Sequence, residues 1–316
     1  MNERHIELTD LDRDIIGCLR KSGRASAQEI SRTIDADYRI VRQRLTFLLD
    51  SDAVRVNALA DPGLIGNPLV AFLWITSLSV ENDLAMRLAR VPEVMWASMT
   101  STRTKAVAQV SCDSSAHLLA LIDGIRSWTC ADEVTTAMVL RSYIGPLGAS
   151  ALPARPGDHR DMDSVWLGSE AQRPFDAIDR RIFELLRADG RTALTAIAQA
   201  VDIPLTTANR RVSRLLESDG VRLQCRVSPA ALGYRFLVGV SLQVREDARE
   251  LAAALSHLPA AMWVSEITGT HAVTIELLAR DQSDIDDAVA AIRSDRRTGA
   301  LALDYYDEPI KSTGRW

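Results

Sequence analysis

The sequence has few cysteines and few lysines, and it lacks any long apolar run. Its four cysteines lie far apart and form no C-x-x-C pair, which excludes a zinc cluster or a dithiol redox motif built from neighbouring cysteines. No run of about eighteen apolar residues occurs, so no membrane span is expected. The first residues, MNERHIELTDLD, contain no apolar segment typical of a secretion signal, and we expect the chain to remain in the cytoplasm.

An excess of positive charge is also absent. The chain has 37 Lys and Arg residues against 42 Asp and Glu residues, a net charge of -5, which argues against a protein coated uniformly for nonspecific nucleic-acid binding. The sequence shows no catalytic triad, no phosphate-binding glycine loop and no metal-ligand spacing. We therefore expect neither a metal nor a cofactor.

The sequence repeats itself. Residues 8–55 align without a gap on residues 175–222 at a constant offset of 167 residues, and 16 of the 48 aligned positions are identical. The same offset continues beyond these segments, where Pro62 corresponds to Pro229. We therefore interpret the chain as one unit used twice, here named copy one and copy two in chain order.

Each copy opens with a pattern of three short helices. In copy one, Ser26 and Glu29 form a capping box for the second helix, and a third helix is predicted over about 37–50. In copy two, Asp176 is the predicted cap of the first helix, and Pro204 is predicted to begin the third. Three short helices with a tight turn before the third are typical of a helix-turn-helix.

The third helices carry side-chain types that recognise DNA. Arginine bonds guanine, Asn and Gln pair with adenine, and Thr and Tyr reach phosphates or a thymine methyl group. The candidate residues are Tyr38, Arg39, Arg42 and Gln43 in copy one and Thr206, Thr207, Asn209 and Arg210 in copy two, with Arg44 and Arg211 expected to meet phosphate. A solvated polar helix face gives the same pattern, and Asp35 and Asp37 would repel phosphate, so a purely structural helix-turn-helix in one copy is the other interpretation.

Each copy continues with segments whose periodicity predicts the order β-α-β-β-α-β. This order predicts a ferredoxin-like domain, in which a four-stranded antiparallel sheet carries two helices on one face. The uncovered face of the sheet must be buried, and we expect the sheets of the two copies to pack on each other.

The predicted fold class is therefore α+β, with two copies of a helix-turn-helix domain, each followed by a ferredoxin-like βαββαβ domain. The predicted helix-turn-helix domains span 1–58 and 175–225, and the ferredoxin-like effector or assembly domains span 67–144 and 233–311. Residues 145–174, with four prolines and four glycines, are predicted to be a linker.

Two sets of motifs recur at these positions. Copy one has LTDLDRDII, SGR, EI and the R-L-x-x-L of Arg44, Leu45 and Leu48, and copy two has AIDRRIFELLRADGRTALTAIA and RRVSRLLESDGV. With the domain order, these motifs resemble the Lrp/AsnC (feast/famine) family of transcriptional regulators over nearly the whole chain except the linker. The resemblance implies double-stranded DNA as a partner, a small-molecule effector that is an amino acid or another metabolite, and homo-oligomer assembly through the effector-domain sheets. Two unequal recognition helices on one chain would then read two neighbouring half-sites, as a covalent pseudo-dimer.

The resemblance also implies an effector loop, V-T-G-x-x-D, between the second and third strands of each effector domain. Copy two keeps the glycine but has Ala272 in place of the acid, and copy one has lost both. The candidate effector residues are Thr102, Lys105, Gly269, Thr270 and His271. Either the ligand differs from that of the family, with Lys105 or His271 meeting an acidic group, or effector sensing has been lost.

An enzyme is the alternative function. Sirohaem decarboxylases are similar in this double-module architecture, and two unequal halves could form one pocket in which arginines hold substrate carboxylates and a histidine supplies a proton. The five histidines do not cluster with Tyr or Arg in a segment typical of a catalytic site. We therefore predict a regulator and no enzymatic activity.

Overall fold

The computed structural model describes residues 8–77, 83–145, 147, 175–218, 221–307 and 309–312. The predicted linker, 145–174, lies outside the described residues except for Gly145 and Leu147. Its boundaries stay a prediction.

The order of helices and strands is the same in both copies, as the repeat predicts. Copy one contains, in chain order, α1 (Asp10–Lys21), α2 (Ala27–Ile34), α3 (Tyr38–Asp50), β1 (Val54–Ala60), β2 (Leu69–Thr76), α4 (Asp83–Arg90), β3 (Val94–Met99), β4 (Lys105–Cys112), α5 (Ser115–Arg126) and β5 (Glu133–Ile144). Copy two contains α6 (Ala177–Ala188), α7 (Leu194–Ala200), α8 (Leu205–Glu217), β6 (Val221–Val227), β7 (Phe236–Val244), α9 (Ala248–Leu255), β8 (Ala261–Ile267), β9 (Val273–Ala279), α10 (Gln282–Ser294) and β10 (Thr298–Tyr306), and then a short strand β11 (Lys311–Ser312). The predicted α+β fold class, with three helices before each βαββαβ unit, is confirmed.

The local signals for helix ends act as predicted, with one small difference. Ser26 and Glu29 form both bonds of a capping box on α2, and the Asp176 side chain caps α6. Pro204, predicted to begin the third helix of copy two, is the residue before α8, in an extended conformation with ψ of 143°. A proline at either position costs the helix no hydrogen bond.

Each effector-domain sheet buries one face under its own helices. In copy one, Leu73 and Ile75 of β2 pack with Leu84 and Leu88 of α4, and all four are almost fully buried. In copy two, Val238 and Val240 of β7 make the equivalent core with α9 and α10. The strand positions between these residues point to the other face of each sheet, and that face is apolar as well.

The two remaining sheet faces pack on each other, as expected from the sequence. This inter-sheet core contains buried residues from both copies, including Phe72, Trp96, Val139, Leu237, Met262 and Trp263. The sheets are also joined at their edges, which the sequence did not indicate. They form one nine-stranded sheet in the order β10-β7-β9-β8-β5-β2-β4-β3-β11, with β5 pairing β8 and β11 pairing β3.

The contacts between the two effector-domain sheets are related by an approximate twofold. The Ser101 N–H of copy one donates to the Tyr305 carbonyl at 2.8 Å, and the Thr268 N–H of copy two donates to the Met138 carbonyl at 2.9 Å. Both residues of one bond differ from their counterparts in the other by the repeat offset of 167 residues. Corresponding loops of the two copies therefore contact corresponding strands of the opposite copy.

A separate two-stranded antiparallel ladder joins the two helix-turn-helix units. Strand β1 pairs with β6 over seven residues, from Val54 opposite Val227 to Ala60 opposite Val221. This pairing is not among the elements predicted from the sequence. The glycines that end the first helices allow the close approach, because a Cβ on Gly190 would lie 2.9 Å from Leu223 and 3.0 Å from the Val56 carbonyl.

Candidate nucleic-acid interface

The turn before α3 positions that helix with its polar side chains in solvent. Asp35 ends α2 in the left-handed conformation, with φ of 49°, and the Asp37 carboxylate accepts hydrogen bonds from the Arg39 and Ile40 N–H groups at 2.8 and 3.1 Å. Val41 and Leu45 of α3 are buried against α1 and α2. The predicted residues Tyr38, Arg39, Arg42 and Gln43 are all exposed.

Helix α8 presents the corresponding surface in copy two. Asp202, before this helix, takes the left-handed conformation with φ of 53°. Val212 and Leu215, on the inner side of α8, are buried. Of the predicted residues, Thr206, Asn209 and Arg210 are exposed and Thr207 is half-buried. Neither α3 nor α8 has an acidic residue in its first turn. The Asp37 carboxylate at the cap compensates the positive end of the α3 dipole, whereas α8 has no side-chain cap and no acidic residue in its first turn.

Two arginines predicted to meet phosphate are bonded within the chain. The Arg44 guanidinium donates to both oxygens of the fully buried Asp12, at 2.9 and 2.7 Å. Burial alone would raise the pKa of Asp12, but hydrogen bonds from Arg44 and Thr9 outweigh it and hold the pKa below 3.8. The bonds to Asp12 raise the pKa of Arg44 in turn. Arg44 thus fastens α3 to α1.

Copy two contains an equivalent ion-paired contact between its third and first helices. Arg211 Nη1 lies 2.7 Å from Asp176 and 2.7 Å from Asp179, and Arg214 also bonds Asp179. The two carboxylates raise the pKa of Arg211. Both guanidinium groups bond carboxylates of their own module, the buried Asp12 and Asp179 and the exposed Asp176, and contact of Arg44 and Arg211 with phosphate stays a prediction.

Exposed apolar side chains lie beside the polar ones, which sequence reasoning did not single out. Tyr38, Ile40 and Phe47 on α3 are 45%, 52% and 41% exposed, and Leu205 on α8 is 48% exposed. On α3, Val41 rather than Ile40 faces the core, and it is fully buried. Apolar groups in a polar surface suit contact with thymine methyl groups. The turn before α3 could have indicated these exposed apolar residues, because it fixes which side chains of the helix face the solvent.

The candidate effector residues lie in two separate loops. In copy one, the Lys105 ammonium bonds Asp304 of β10 at 2.8 Å, and the Thr102 hydroxyl lies 3.0 Å from that of Thr100. Lys105 is therefore already paired by a carboxylate of this chain. Among the described residues, no hydrogen bond or ion pair joins this loop to the loop of copy two.

The loop of copy two is the more open one. Gly269 has φ of 108°, a conformation that favours glycine, and a Cβ placed there would meet nothing within 4 Å. Gly269 and Thr270 are exposed, and His271 is half-buried. At the twofold-related position, Lys105 and Asp304 are replaced by Ala272 of copy two and Ala137 of copy one, so no ion pair forms there. The two loops therefore correspond in position by the approximate twofold but differ in side-chain chemistry.

The described ranges contain neither a metal-ligand cluster nor a membrane-spanning helix. Across the described ranges, no group of three or more His, Cys, Asp or Glu side chains could hold a metal ion. No helix in those ranges is both long enough and apolar enough to cross a membrane.

Comparisons with known proteins place the features above in context. Residues 175–221 match a protein-family model described as winged helix-turn-helix DNA-binding. The chain is 35% identical over 135 residues to the HTH-type transcriptional regulator AldR of Mycolicibacterium smegmatis, covering 41% of this chain and 74% of AldR. It is 29% identical over 118 residues to the HTH-type transcriptional regulator LrpA of Pyrococcus horikoshii, covering 37% of this chain and 84% of LrpA.

A solved structure matches nearly the whole chain. The siroheme decarboxylase NirDL superposes with a TM-score of 0.64 at 11% identity, covering 96% of this chain and 93% of NirDL. At that identity, the likeness shows a shared fold alone.

Proposed function

The chain belongs to the Lrp/AsnC family of transcriptional regulators, and we propose that it binds double-stranded DNA sequence-specifically as a covalent pseudo-dimer. In this proposal α3 and α8 read two neighbouring half-sites about one helical turn apart. The observation that carries the proposal is the joint between the two helix-turn-helix units, which connects two modules that each expose a polar helix.

The joint consists of reciprocal hydrogen bonds around the β1–β6 ladder. Arg24 of copy one donates to the Gly190 and Thr192 carbonyls, both at 2.7 Å. Arg191, its counterpart in copy two, donates to the Gly23 and Ala25 carbonyls at 2.7 and 3.0 Å. A dimer of separate chains would need an interface of this kind to hold two recognition helices at a fixed spacing.

The two helices carry different chemistry and should prefer different bases. Arg39, Arg42 and Gln43 of α3 suit guanine and adenine edges. On α8, Asn209 suits adenine and Arg210 suits guanine, with Thr206, Thr207 and the exposed apolar groups available for thymine methyl contacts. The proposed operator is therefore asymmetric.

The proposal includes modulation by a small molecule, an amino acid or another metabolite, at the effector-domain interface. The loop of copy two, with Gly269, Thr270 and His271, is the favoured location, because Lys105 in the other loop is already neutralised by Asp304 at 2.8 Å. Self-association of whole chains would need a further surface, because the free faces of both sheets are already buried against each other.

Selection of bound DNA from a random pool at two salt concentrations tests the DNA proposal. We expect two unlike half-sites, with affinity falling as salt rises because phosphate contacts release counterions. Arg42→Ala should relax one half-site and Arg210→Ala the other, while Arg296→Ala, on an exposed arginine of the effector domain, should change neither. Failure to enrich any sequence, or one palindromic operator unaffected by one of the two variants, would contradict the proposal.

An enzyme similar to the siroheme decarboxylase is the second candidate, supported by the likeness over nearly the whole chain. The three described histidines lie apart: His117 bonds Glu93 at 3.1 Å at the start of α5, His257 follows α9, and His271 lies in the copy-two loop. A tetrapyrrole colour in the purified protein, or decarboxylation of a tetrapyrrole substrate, would reverse the order of the two candidates.

A further inference from the structure

One face of the β1–β6 ladder carries polar residues from both copies. Arg55 lies opposite Arg226 in the register, and Asn57 lies opposite Gln224. Residues two apart on a strand, and cross-strand partners, share a face of the sheet. Two like charges and two amides therefore share one small area.

Arg226 forms no ion pair with any described residue. Its Nε atom is buried without a partner in the described part of the chain, and its Nη2 donates to the Ser312 hydroxyl of β11 at 3.5 Å. Burial, and then the neighbouring charge of Arg55, lower the pKa of Arg226 to about 9. Arg55 itself is bonded to Asp52 at 2.7 Å, so that carboxylate is already paired. Within the described part of the chain, nothing neutralises the Arg226 guanidinium.

Unmatched acceptors lie next to this cation. The Oδ1 atom of Asn57 and the Oε1 atom of Gln224 are buried without hydrogen-bond partners among the described residues. The Asn57 amide nitrogen donates to the Arg187 and Ala188 carbonyls at 2.7 and 3.1 Å, which fixes its orientation. Buried polar atoms are normally satisfied, so three unsatisfied atoms on one face indicate a missing partner.

The repeat shows that the fold does not need this arginine. The residue of copy one that corresponds to Arg226 is Leu59, which is buried at the same kind of position in β1. A leucine in this strand is compatible with the ladder, whereas an unpaired and partly buried cation destabilises it. An arginine at this position of copy two is therefore explained by a group that the cation binds.

We propose that Arg226 anchors a binding site for a small oxyanion, a carboxylate or a phosphate, at the junction between the β1–β6 ladder and the effector-domain strand β11. The Nε–Nη2 edge of a guanidinium matches two oxygens of such a group. The Asn57 and Gln224 oxygens would accept hydrogen bonds from a hydroxyl or ammonium group of the same molecule. The site is distinct from the two effector loops and joins a DNA-binding element to the effector sheet.

Titration calorimetry and thermal unfolding of the full chain test this site without using DNA. Sodium phosphate and sodium lactate are the probes, and sodium chloride at matched ionic strength is the reference. We expect at least one probe to bind and to raise the melting temperature above the chloride value, because a ligand that binds only the folded state stabilises it. A response to phosphate alone or to lactate alone identifies which oxyanion the site prefers.

The matched variants are Arg226→Leu, which installs the residue found in copy one, and Arg222→Leu, at a half-buried arginine on the same face of β6. Arg226→Leu should weaken probe binding by at least about tenfold and raise the melting temperature in chloride, whereas Arg222→Leu should leave probe binding unchanged. Arg226→Lys, which keeps the charge but loses the planar fork, should bind the probe weakly. The proposal is overturned if neither probe binds the wild-type chain, or if Arg226→Leu binds the probes as tightly as the wild type. Neither result depends on whether the chain binds DNA.

Discussion

At the scale of single residues, arginines of one helix have different tasks. Arg42 and Arg44 lie two positions apart on α3, yet Arg42 is exposed while Arg44 bonds the buried Asp12. The same division holds on α8, where Arg210 is exposed and Arg211 bonds Asp176 and Asp179. Position relative to the first helix of the module, rather than residue type, decides which arginine is free for DNA.

Replacing these two arginines should therefore have opposite effects. Arg44→Ala leaves the Asp12 carboxylate buried without its partner, so we expect a loss of about 1–3 kcal/mol in the free energy of unfolding. Arg42→Ala should change that free energy by less than about 0.5 kcal/mol but weaken DNA binding by about 1–3 kcal/mol. Urea unfolding and DNA titration measure the two quantities.

Asp12→Asn is the control for the first effect. It removes the carboxylate charge that Arg44 pairs with, so it should also destabilise the chain while leaving the exposed face of α3 intact. If Arg44→Ala left stability unchanged and weakened DNA binding as much as Arg42→Ala, the assignment of Arg44 to a structural role would be wrong.

At the scale of elements, the sequence predicts what local chemistry determines. The capping box of Ser26 and Glu29, the cap at Asp176 and the helical spacing of apolar residues fix the helix ends to within a few residues. Period-two alternation and the repeat together predict the βαββαβ order. These signals are contained within a few neighbouring residues, so they can be recognised without knowing the tertiary structure.

The contacts between copies could not be predicted in the same way. Strand β1 pairs with β6, and Lys105 bonds Asp304, 199 residues away in the chain, and no local pattern identifies either partner. The structural task of Arg44 depends equally on Asp12, 32 residues earlier. An arginine that reaches phosphate and one that bonds a carboxylate look alike in sequence, so the bonds of Arg44 and Arg211 to carboxylates could not be predicted.

The reciprocal arginine bonds give a prediction for the ladder. Arg24→Ala removes two hydrogen bonds to the Gly190 and Thr192 carbonyls, and Arg191→Ala removes the two equivalent bonds. Each variant should lower the free energy of unfolding by about 1–3 kcal/mol, because the partner carbonyls lose charged donors. Urea unfolding measures the loss, and Arg13→Ala, at an exposed arginine of α1, is the control. A double variant with the unfolding midpoint of the wild type would show that these bonds do not hold the two units together.

At the scale of the whole molecule, the two copies are interlocked rather than merely tethered. Three sets of strand pairs join them, β1 with β6, β5 with β8 and β3 with β11, and a buried inter-sheet core lies between the effector domains. Each sheet has an apolar face that its own helices do not cover, and the sheet of the other copy buries that face. The covalent connection therefore raises the effective concentration of one copy for the other.

Cutting the chain between the copies tests this view. A protease-recognition sequence inserted within residues 150–170 allows the purified chain to be cleaved, and we expect the two fragments to co-elute on size exclusion and to keep the DNA affinity of the intact chain. The strand pairs and the inter-sheet core, rather than the peptide bond, then hold the assembly. Unfolding of the cleaved protein should become concentration-dependent, with a midpoint that rises with protein concentration, whereas the uncleaved chain should show no such dependence. The uncleaved insertion variant controls for the inserted sequence. Fragments that separated without denaturant would show that the copies associate only because they are linked, and the rigid spacing proposed for α3 and α8 would lose its physical basis.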